Sequence, residues 1–130
     1  MFTIIVECGF SAIHQLRLPG GTLEPRHGHD WIVRAHFSRA TLSDAGMVID
    51  FADAQAALRS VIEPLQYADL NSFEPLSGLN PTAEVVAKFI FDRLTRPGFD
   101  SLRRVEVTEA PGCIAAYEPT LAADRATAGP

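Results

Sequence analysis

Residues 29–40, HDWIVRAHFSRA, alternate regularly between apolar and polar side chains. Every second position is apolar, and these positions are Trp31, Val33, Ala35 and Phe37. Because successive side chains of a strand point to opposite sides, all four would share one face. Alternation of this kind is typical of a half-buried strand. The stretch therefore predicts a β-strand with one face in the core.

Other stretches predict three further strands. FTIIVECGF (residues 2–10) is rich in β-branched and aromatic residues and predicts a largely buried strand. A loop rich in Gly and Pro, LPGGTLEPRHG (residues 18–28), separates it from the strand above. Towards the other end of the chain, RRVEVTEA (residues 103–110) alternates again. CIAAYEP (residues 113–119) follows it closely and predicts its hairpin partner.

Two helices are predicted between the strand pairs. In the first, apolar residues recur at helical spacing, and Asp50 is the expected N-cap. Its stripe is Phe51, Ala54, Leu58, Val61, Ile62 and Leu65. For the second, Asn80 is the expected N-cap, Pro81 the first helical residue, and RPGFD (residues 96–100) the end. Its stripe is Val85, Val86, Phe89, Ile90 and Leu94.

The predicted element order is ββααββ. Because strands and helices occur in separate blocks, we expect an α+β fold. Its form would be one four-stranded antiparallel sheet with two helices packed on one face. A chain of 130 residues is typical of one domain. We assign that domain to residues 1–118 and predict a flexible C-terminal tail over residues 119–130.

Composition excludes several classes of function. The formal net charge is −5 and no basic cluster occurs, so nucleic-acid binding is not expected. Apolar runs fall short of the roughly 20 residues that a membrane span needs, so no membrane association is expected. The two cysteines form no close-spaced motif, and the N-terminus does not resemble a signal peptide. We therefore expect a reduced, cytoplasmic protein.

The histidines suggest a metal site. His27 and His29 are two residues apart, so at the start of a strand their rings would point to the same side and could share a cation. A catalytic zinc site needs three protein ligands and an open position, and His14, at the end of the first predicted strand, is the best third candidate. His36 has the wrong parity and would lie about 23 Å from His29 along an ideal strand. A chance pair in a solvated loop is the alternative.

Five stretches together resemble a known family. FSAIHQL, HGHDW, GMVIDFAD, LNPTAEVVAKFI and VEVTEAPGCIAAY occur in the order found in the 6-pyruvoyltetrahydropterin and 6-carboxytetrahydropterin synthase family. The resemblance spans residues 2–118. It implies the tunnelling fold and a homo-oligomer, either a trimer or a hexamer built as a dimer of trimers, with active sites between subunits. It also implies a zinc-dependent lyase acting on 7,8-dihydroneopterin triphosphate or a related pterin, in queuosine, folate or biopterin biosynthesis.

The resemblance also implies roles for individual residues. His14, His27 and His29 would be the three ligands of Zn²⁺. Glu109 would anchor the pterin ring, since a carboxylate can accept two parallel hydrogen bonds from the ring N–H and the exocyclic amine. Thr108 would help to orient the ring.

The catalytic cysteine that the family places a few residues before HGH is missing. Cys8 and Cys113 lie elsewhere in the sequence, and we expect both to be small buried apolar residues. Glu24 lies three residues before His27 and is a candidate general base. A carboxylate can act as a base if its environment raises its pKa towards neutrality. The alternative is an exposed loop carboxylate.

The family's Asp–His pair, in the pattern L-D-H-x-x-L-N, is also replaced. Residues 65–71 read LQYADLN, with Gln66 and Tyr67 at the two positions. Gln does not titrate, and the reference pKa of Tyr is about 10. Tyr67 and the nearby Asp69 join Glu24 as candidates for proton transfer. The alternative function is a non-catalytic paralogue that binds zinc and a pterin or purine. A metal-dependent hydrolase fits less well, because such enzymes usually need a larger barrel.

Overall fold

Four strands form one antiparallel sheet, in the order in which they occur along the chain. The computed structural model describes residues 1–120. The strands are β1 (Phe2–His14), β2 (His27–Arg39), β3 (Leu102–Ala110) and β4 (Cys113–Tyr117). Helices α1 (Phe51–Ile62) and α2 (Ala83–Leu94) lie between β2 and β3 in the chain. The predicted order ββααββ and the α+β class are confirmed. Of the predicted tail, residues 121–130 lie outside the described residues.

The buried face of the sheet follows the predicted alternation. In β2, the fully buried residues are Trp31, Val33, Ala35 and Phe37. β1 pairs with β2 over its whole length, so that Phe10 lies opposite Trp31 and their rings stack. β1 ends at His14, as predicted, so a histidine lies at the end of the buried face. Burial along β1 alternates as it does in β2, with Val6 and Phe10 in the core, whereas we predicted a largely buried strand.

Both helices cover the same face of the sheet. α1 packs on β1, and α2 packs on β3 and β4. Asp50 caps α1 as predicted, because its carboxylate accepts hydrogen bonds from the N–H groups of Ala52 and Asp53. α1 ends at Ile62 and a short 3₁₀ turn, Glu63–Leu65, follows. Leu65 is buried in that turn rather than in the helix.

The predicted start of α2 was wrong. Thr82 is the N-cap, and its hydroxyl accepts a hydrogen bond from the N–H of Val85 at 3.2 Å. Asn80 cannot serve as the cap because its side-chain amide is bonded elsewhere. Its Oδ1 accepts from the N–H of Arg17 at 2.8 Å, and its Nδ2 donates to the carbonyl of Arg17 at 2.9 Å. Asn80 therefore holds the chain that follows β1.

Two predicted core positions are exposed. Phe51, the first residue of the α1 stripe, is 59% exposed because it lies at the helix end, beside the loop that precedes it. Cys113 is exposed, whereas we predicted a buried residue, because it begins the edge strand β4 directly after the hairpin turn. Cys8 is partly buried and packs against the core. Within residues 1–120, no helix is long and apolar enough to cross a membrane.

Candidate metal centre and active site

The ends of β1 and β2 bring three histidines together. His14, the last residue of β1, lies opposite His27, the first residue of β2. His29 follows two residues later and faces the same side. The ring centroid of His14 lies 4.7 Å from that of His27 and 5.2 Å from that of His29. His14 is completely buried. The structure thus brings together the three predicted ligands.

Backbone carbonyls fix the orientation of two of these rings. Nδ1 of His14 lies 2.9 Å from the carbonyl oxygen of Pro81, and Nδ1 of His27 lies 2.8 Å from that of Pro25. Because a carbonyl oxygen only accepts, each Nδ1 must carry the proton and donate it. The Nε2 atom of each neutral ring then carries a lone pair. A hydrogen bond from the other ring nitrogen to a backbone carbonyl is typical of histidines that bind metals.

The two Nε2 atoms point at each other. Nε2 of His14 lies 3.0 Å from Nε2 of His27. Two lone pairs at this distance repel each other unless a proton or a metal cation lies between them. A metal ion shared by both rings removes this repulsion while both Nδ1–H donors keep their carbonyl partners. The donor set therefore fits a cation bound by Nε2 atoms.

Glu109 adds a carboxylate to the cluster. Its Oε1 lies 3.0 Å from Nε2 of His29 and 3.6 Å from Nε2 of His14. One donor atom each from His14, His27, His29 and Glu109 lie within 4.8 Å of one another. Nε2 of His29 is buried and has no hydrogen-bond partner among residues 1–120. Sequence reasoning placed Glu109 at a pterin ring and missed this contact with the histidines.

The electrostatics of the cluster favour a neutral His29. Burial lowers the pKa of His29, and the neighbouring rings of His14 and His27 lower it further. The carboxylate of Glu109 opposes this change, but the pKa stays below its ordinary value. A neutral imidazole has a free lone pair, which is the form that binds a metal.

Glu24 lies on the other side of the cluster. Its Oε1 is 3.6 Å from Nε2 of His27 and accepts a hydrogen bond from the N–H of Leu16 at 3.1 Å. Its carbonyl oxygen accepts from Nε2 of Gln15 at 2.9 Å. These bonds hold the loop against the chain that follows β1. Glu24 is thus beside the histidines, as its position in the sequence predicted, but outside the group of four ligand atoms.

Tyr67 and Asp69 are not part of the histidine cluster. Tyr67 is 83% exposed and has a φ of 58°, which is unusual for a residue other than Gly. It lies on the wall of a cavity of about 350 Å³ that His29 also lines. The carboxylate of Asp69 forms an ion pair with Arg26. Burial alone would raise the pKa of Asp69, but hydrogen bonds from Arg26 and from the N–H of Asn71 outweigh burial and lower it.

Thr108 does not accompany Glu109 into the cluster. Its cross-strand neighbours are Ile32 and Ile114, on the face of the sheet that the helices leave open. The buried neighbour in β3, Val107, lies on the other face. Because successive residues of a strand alternate, Thr108 points away from the buried end of the sheet where the histidines meet.

Sequence reasoning also missed an asparagine that supports the site. The amide of Asn71 bonds both backbone groups of Gln15, accepting from its N–H at 2.7 Å and donating to its carbonyl at 2.8 Å. In the sequence, Asn71 is one of many turn-forming residues in a long connection. The only signal for it was its place at the end of the family pattern L-D-H-x-x-L-N.

Comparison with known proteins places this chain in a family. The family model described as 6-pyruvoyl tetrahydropterin synthase matches residues 3–120. A 6-carboxy-5,6,7,8-tetrahydropterin synthase from Synechocystis is 32% identical over 124 residues, which cover 90% of this chain and 93% of the relative.

Solved structures share the fold. The Caenorhabditis elegans 6-pyruvoyl tetrahydropterin synthase aligns with a TM-score of 0.80 at 22% identity, covering 92% of this chain and 96% of that one. A Plasmodium vivax 6-pyruvoyltetrahydropterin synthase aligns with a TM-score of 0.68 at 17% identity, covering 92% and 98%. The latter was solved as a mutant in which a catalytic glutamate is replaced by alanine. From the match over nearly all of its described length, the chain belongs to the 6-pyruvoyl tetrahydropterin synthase family of lyases.

Proposed function

We propose that this protein is a zinc-dependent lyase that acts on 7,8-dihydroneopterin triphosphate or a closely related pterin. The observation that carries the proposal is the convergence of His14, His27 and His29. Two of these rings have their Nδ1 protons bonded to carbonyls while their Nε2 atoms face each other at 3.0 Å. Three neutral imidazoles are the ligand set of a catalytic zinc site.

Backbone contacts and burial set the orientation and charge of the histidine rings that would hold the metal. The carbonyls of Pro81 and Pro25 keep the rings of His14 and His27 turned inwards, and burial keeps His29 neutral. When bound, zinc would supply Lewis-acid polarisation of the substrate's side-chain hydroxyls and so acidify the adjacent carbon centres.

Recognition of the pterin falls to Glu109. Its carboxylate lies at the cluster, with Oε1 3.0 Å from Nε2 of His29. Both carboxylate oxygens can accept hydrogen bonds, one from a ring N–H and one from the exocyclic amine. A ring held in this way places its hydroxylated side chain towards the histidines.

Glu24 is the proposed general base. Its carboxylate lies 3.6 Å from Nε2 of His27, beside the position where the substrate side chain would lie. It takes a proton from a side-chain carbon, the electrons of that C–H bond form a double bond, and the C–O bond to triphosphate breaks. The catalytic glutamate of the Plasmodium vivax relative gives a precedent for a carboxylate in this chemistry.

The other two candidates for proton transfer are less directly supported. The carboxylate of Asp69 is already paired with Arg26, and its pKa is lowered, so it is a weak base. Tyr67 lies on the cavity wall and is exposed, from where its phenol could donate a proton. We therefore assign the base to Glu24 and keep Tyr67 as a candidate donor.

Turnover of 7,8-dihydroneopterin triphosphate tests this function. We expect the zinc-loaded protein to release triphosphate and a modified pterin, both measurable by chromatography. Glu24→Gln should lower kcat by about 10²–10⁴-fold, as expected for loss of a general base, while substrate binding persists. Glu7→Gln is the matched control, because Glu7 is an exposed residue of β1 paired with Arg34, and its rate should equal that of the unmodified protein. Equal rates for Glu24→Gln and the control would remove Glu24 from the mechanism.

A second candidate function is a binding protein that retains zinc and a pterin or purine without turnover. It is favoured by the positions of the family's Asp–His pair, which Gln66 and Tyr67 occupy. Saturable pterin binding together with zinc, but without product in the same assay, would support this function over the lyase.

The oligomeric and cellular context is also proposed. The resemblance to the family implies a homo-oligomer, a trimer or a dimer of trimers. Residues 67–70 pair with the end of β1, but β4 and the rest of β1 are edge strands that leave backbone groups available for pairing between subunits. A cytoplasmic location stays a prediction.

A further inference from the structure

The backbone of β3 directs Glu109 into the histidine cluster. Thr108 pairs with Ile114 and Ala110 pairs with Cys113, so the register between β3 and β4 shifts at Glu109. A bulge of this kind inserts an extra residue into one strand. Glu109 follows the buried Val105 and Val107 at alternate positions and so lies on the same face of the sheet. The carboxylate of Glu109 therefore reaches the histidines from a strand end rather than from a loop.

Both distances from Glu109 to the histidines are close to those between ligands of one metal ion. For zinc–ligand bonds of about 2.0–2.2 Å in a tetrahedral site, neighbouring ligand atoms lie about 3.3 Å apart. Oε1 of Glu109 lies 3.0 Å from Nε2 of His29 and 3.6 Å from Nε2 of His14. Glu24 comes within 3.6 Å of His27 but does not belong to the group of four.

The contact between His29 and Glu109 is close without being a hydrogen bond. Nε2 of His29 is buried and has no hydrogen-bond partner among residues 1–120, although an oxygen lies 3.0 Å away. A buried nitrogen left in this state is costly. Coordination of both atoms by the same cation would satisfy the nitrogen and the carboxylate together.

We propose that Glu109 is the fourth metal ligand of the resting protein and leaves the metal when a pterin ring binds. This inference rests on the proposed function, because it concerns the same metal centre. Two parallel hydrogen bonds from the ring require both carboxylate oxygens. Oε1 is thereby withdrawn from the histidines, and a coordination position opens beside the ring for a substrate hydroxyl. The exchange replaces one oxygen ligand by another and involves no redox change. Molecules that lack the two N–H donors do not displace Glu109, and no coordination position opens.

Cobalt(II) substitution and zinc competition test whether Glu109 is a ligand. The visible absorption of cobalt(II) depends on the number and type of its ligands. We compare the unmodified protein with Glu109→Gln, and use Glu106→Gln as the matched control. Glu106 is on the same strand, where it contacts His36 and Arg104 instead. We expect Glu109→Gln to bind zinc at least about tenfold more weakly and to change the cobalt spectrum. Glu106→Gln should have the zinc affinity and the cobalt spectrum of the unmodified protein.

A pterin without hydroxyls tests the exchange in the unmodified protein. 6-Methylpterin offers the ring donors but no side-chain oxygen. Its addition to the cobalt protein should shift the spectrum towards that of Glu109→Gln. Because this measurement needs no variant, it holds even if Glu109→Gln folds poorly.

Two results would overturn the inference. One is a Glu109→Gln protein with the zinc affinity and cobalt spectrum of the unmodified protein, which would leave the proposed lyase intact. The other is 6-methylpterin that binds, as measured by its fluorescence, without changing the cobalt spectrum. Failure of the unmodified protein to bind any metal would instead contradict the proposed function itself.

Discussion

The chemistry of this site is decided by single hydrogen bonds. The carbonyls of Pro81 and Pro25 set which nitrogen of His14 and His27 carries the proton. Both Nε2 atoms are thereby left as acceptors pointing at one another, 3.0 Å apart. Since neither histidine can donate from Nε2 without taking up an extra proton, the pair requires a positive charge between the rings. Two backbone oxygens therefore leave both Nε2 atoms free to bind a cation.

Asp69 makes a pH-dependent contribution at the same scale. Burial would raise its pKa, but the bonds from Arg26 and Asn71 outweigh burial, so that the pKa in the folded protein is lower than usual. Such a carboxyl stabilises the folded state above its unfolded pKa of about 3.9, and the contribution is lost as the pH falls through the folded pKa.

We therefore expect Asp69→Asn to lower the free energy of unfolding at pH 7. The difference from the unmodified protein should shrink as the pH falls below about 4. Urea unfolding at a series of pH values measures it. Asp44→Asn, at an exposed loop position, is the control and should show no comparable difference. An effect of Asp69→Asn that is the same at acid and neutral pH would contradict the assignment.

At the scale of elements, side chains extend the sheet beyond the last residue of β1. Asn71 bonds the N–H and carbonyl of Gln15, and Asn80 bonds those of Arg17. Each side-chain amide accepts one hydrogen bond and donates one, as the backbone of a neighbouring strand would do. Together they fix the segment directly after His14, and the bonds from this segment to Glu24 then place the loop beside the histidines.

Removing one of these amides should loosen the segment. Asn71→Ala leaves two partly buried backbone groups of Gln15 without their partner, which costs about 1–3 kcal/mol of the free energy of unfolding. Gln55→Ala is the control, because its amide makes a single exposed bond to the carbonyl of Glu7, and it should cost no more than about 0.5 kcal/mol. Urea unfolding measures both, and equal effects would argue against the role of Asn71.

At the scale of the whole molecule, the sheet could be predicted better than the site. The alternation of Trp31, Val33, Ala35 and Phe37 was enough to define β2 and its buried face. The pairing of His14 with His27 could not be read from the residues, because it depends on the register of two strands joined by a long loop. Strand position made His14 the best third candidate, and the family resemblance then implied all three histidines as ligands.

Predictions failed where a side chain had more than one possible partner. Asn80 looked like an N-cap because Pro81 follows it, yet its amide bonds Arg17 and Thr82 caps the helix. Glu109 was predicted to contact a pterin ring, yet its carboxylate also lies 3.0 Å from Nε2 of His29. Both outcomes depend on contacts between residues far apart in the sequence, which local patterns do not contain.

The open edges of the sheet bear on assembly. β1 and β4 end the strand order, and exposed strand edges in proteins are usually covered or paired. We therefore expect a mass of three or six times the 14.1 kDa of one chain, measured by light scattering during size-exclusion chromatography. A single species with the mass of one chain across a range of concentrations would contradict the proposed trimer.

The central claim, a metal centre built by three histidines, is tested most directly by zinc content. The protein is purified without chelators, exposed to excess zinc and then freed of unbound metal. Its zinc content is measured by inductively coupled plasma mass spectrometry. We expect about one zinc per chain, the same value for His36→Asn, whose histidine lies outside the cluster, and almost none for His27→Asn. Zinc absent from the unmodified protein, or retained equally by His27→Asn, would contradict the account.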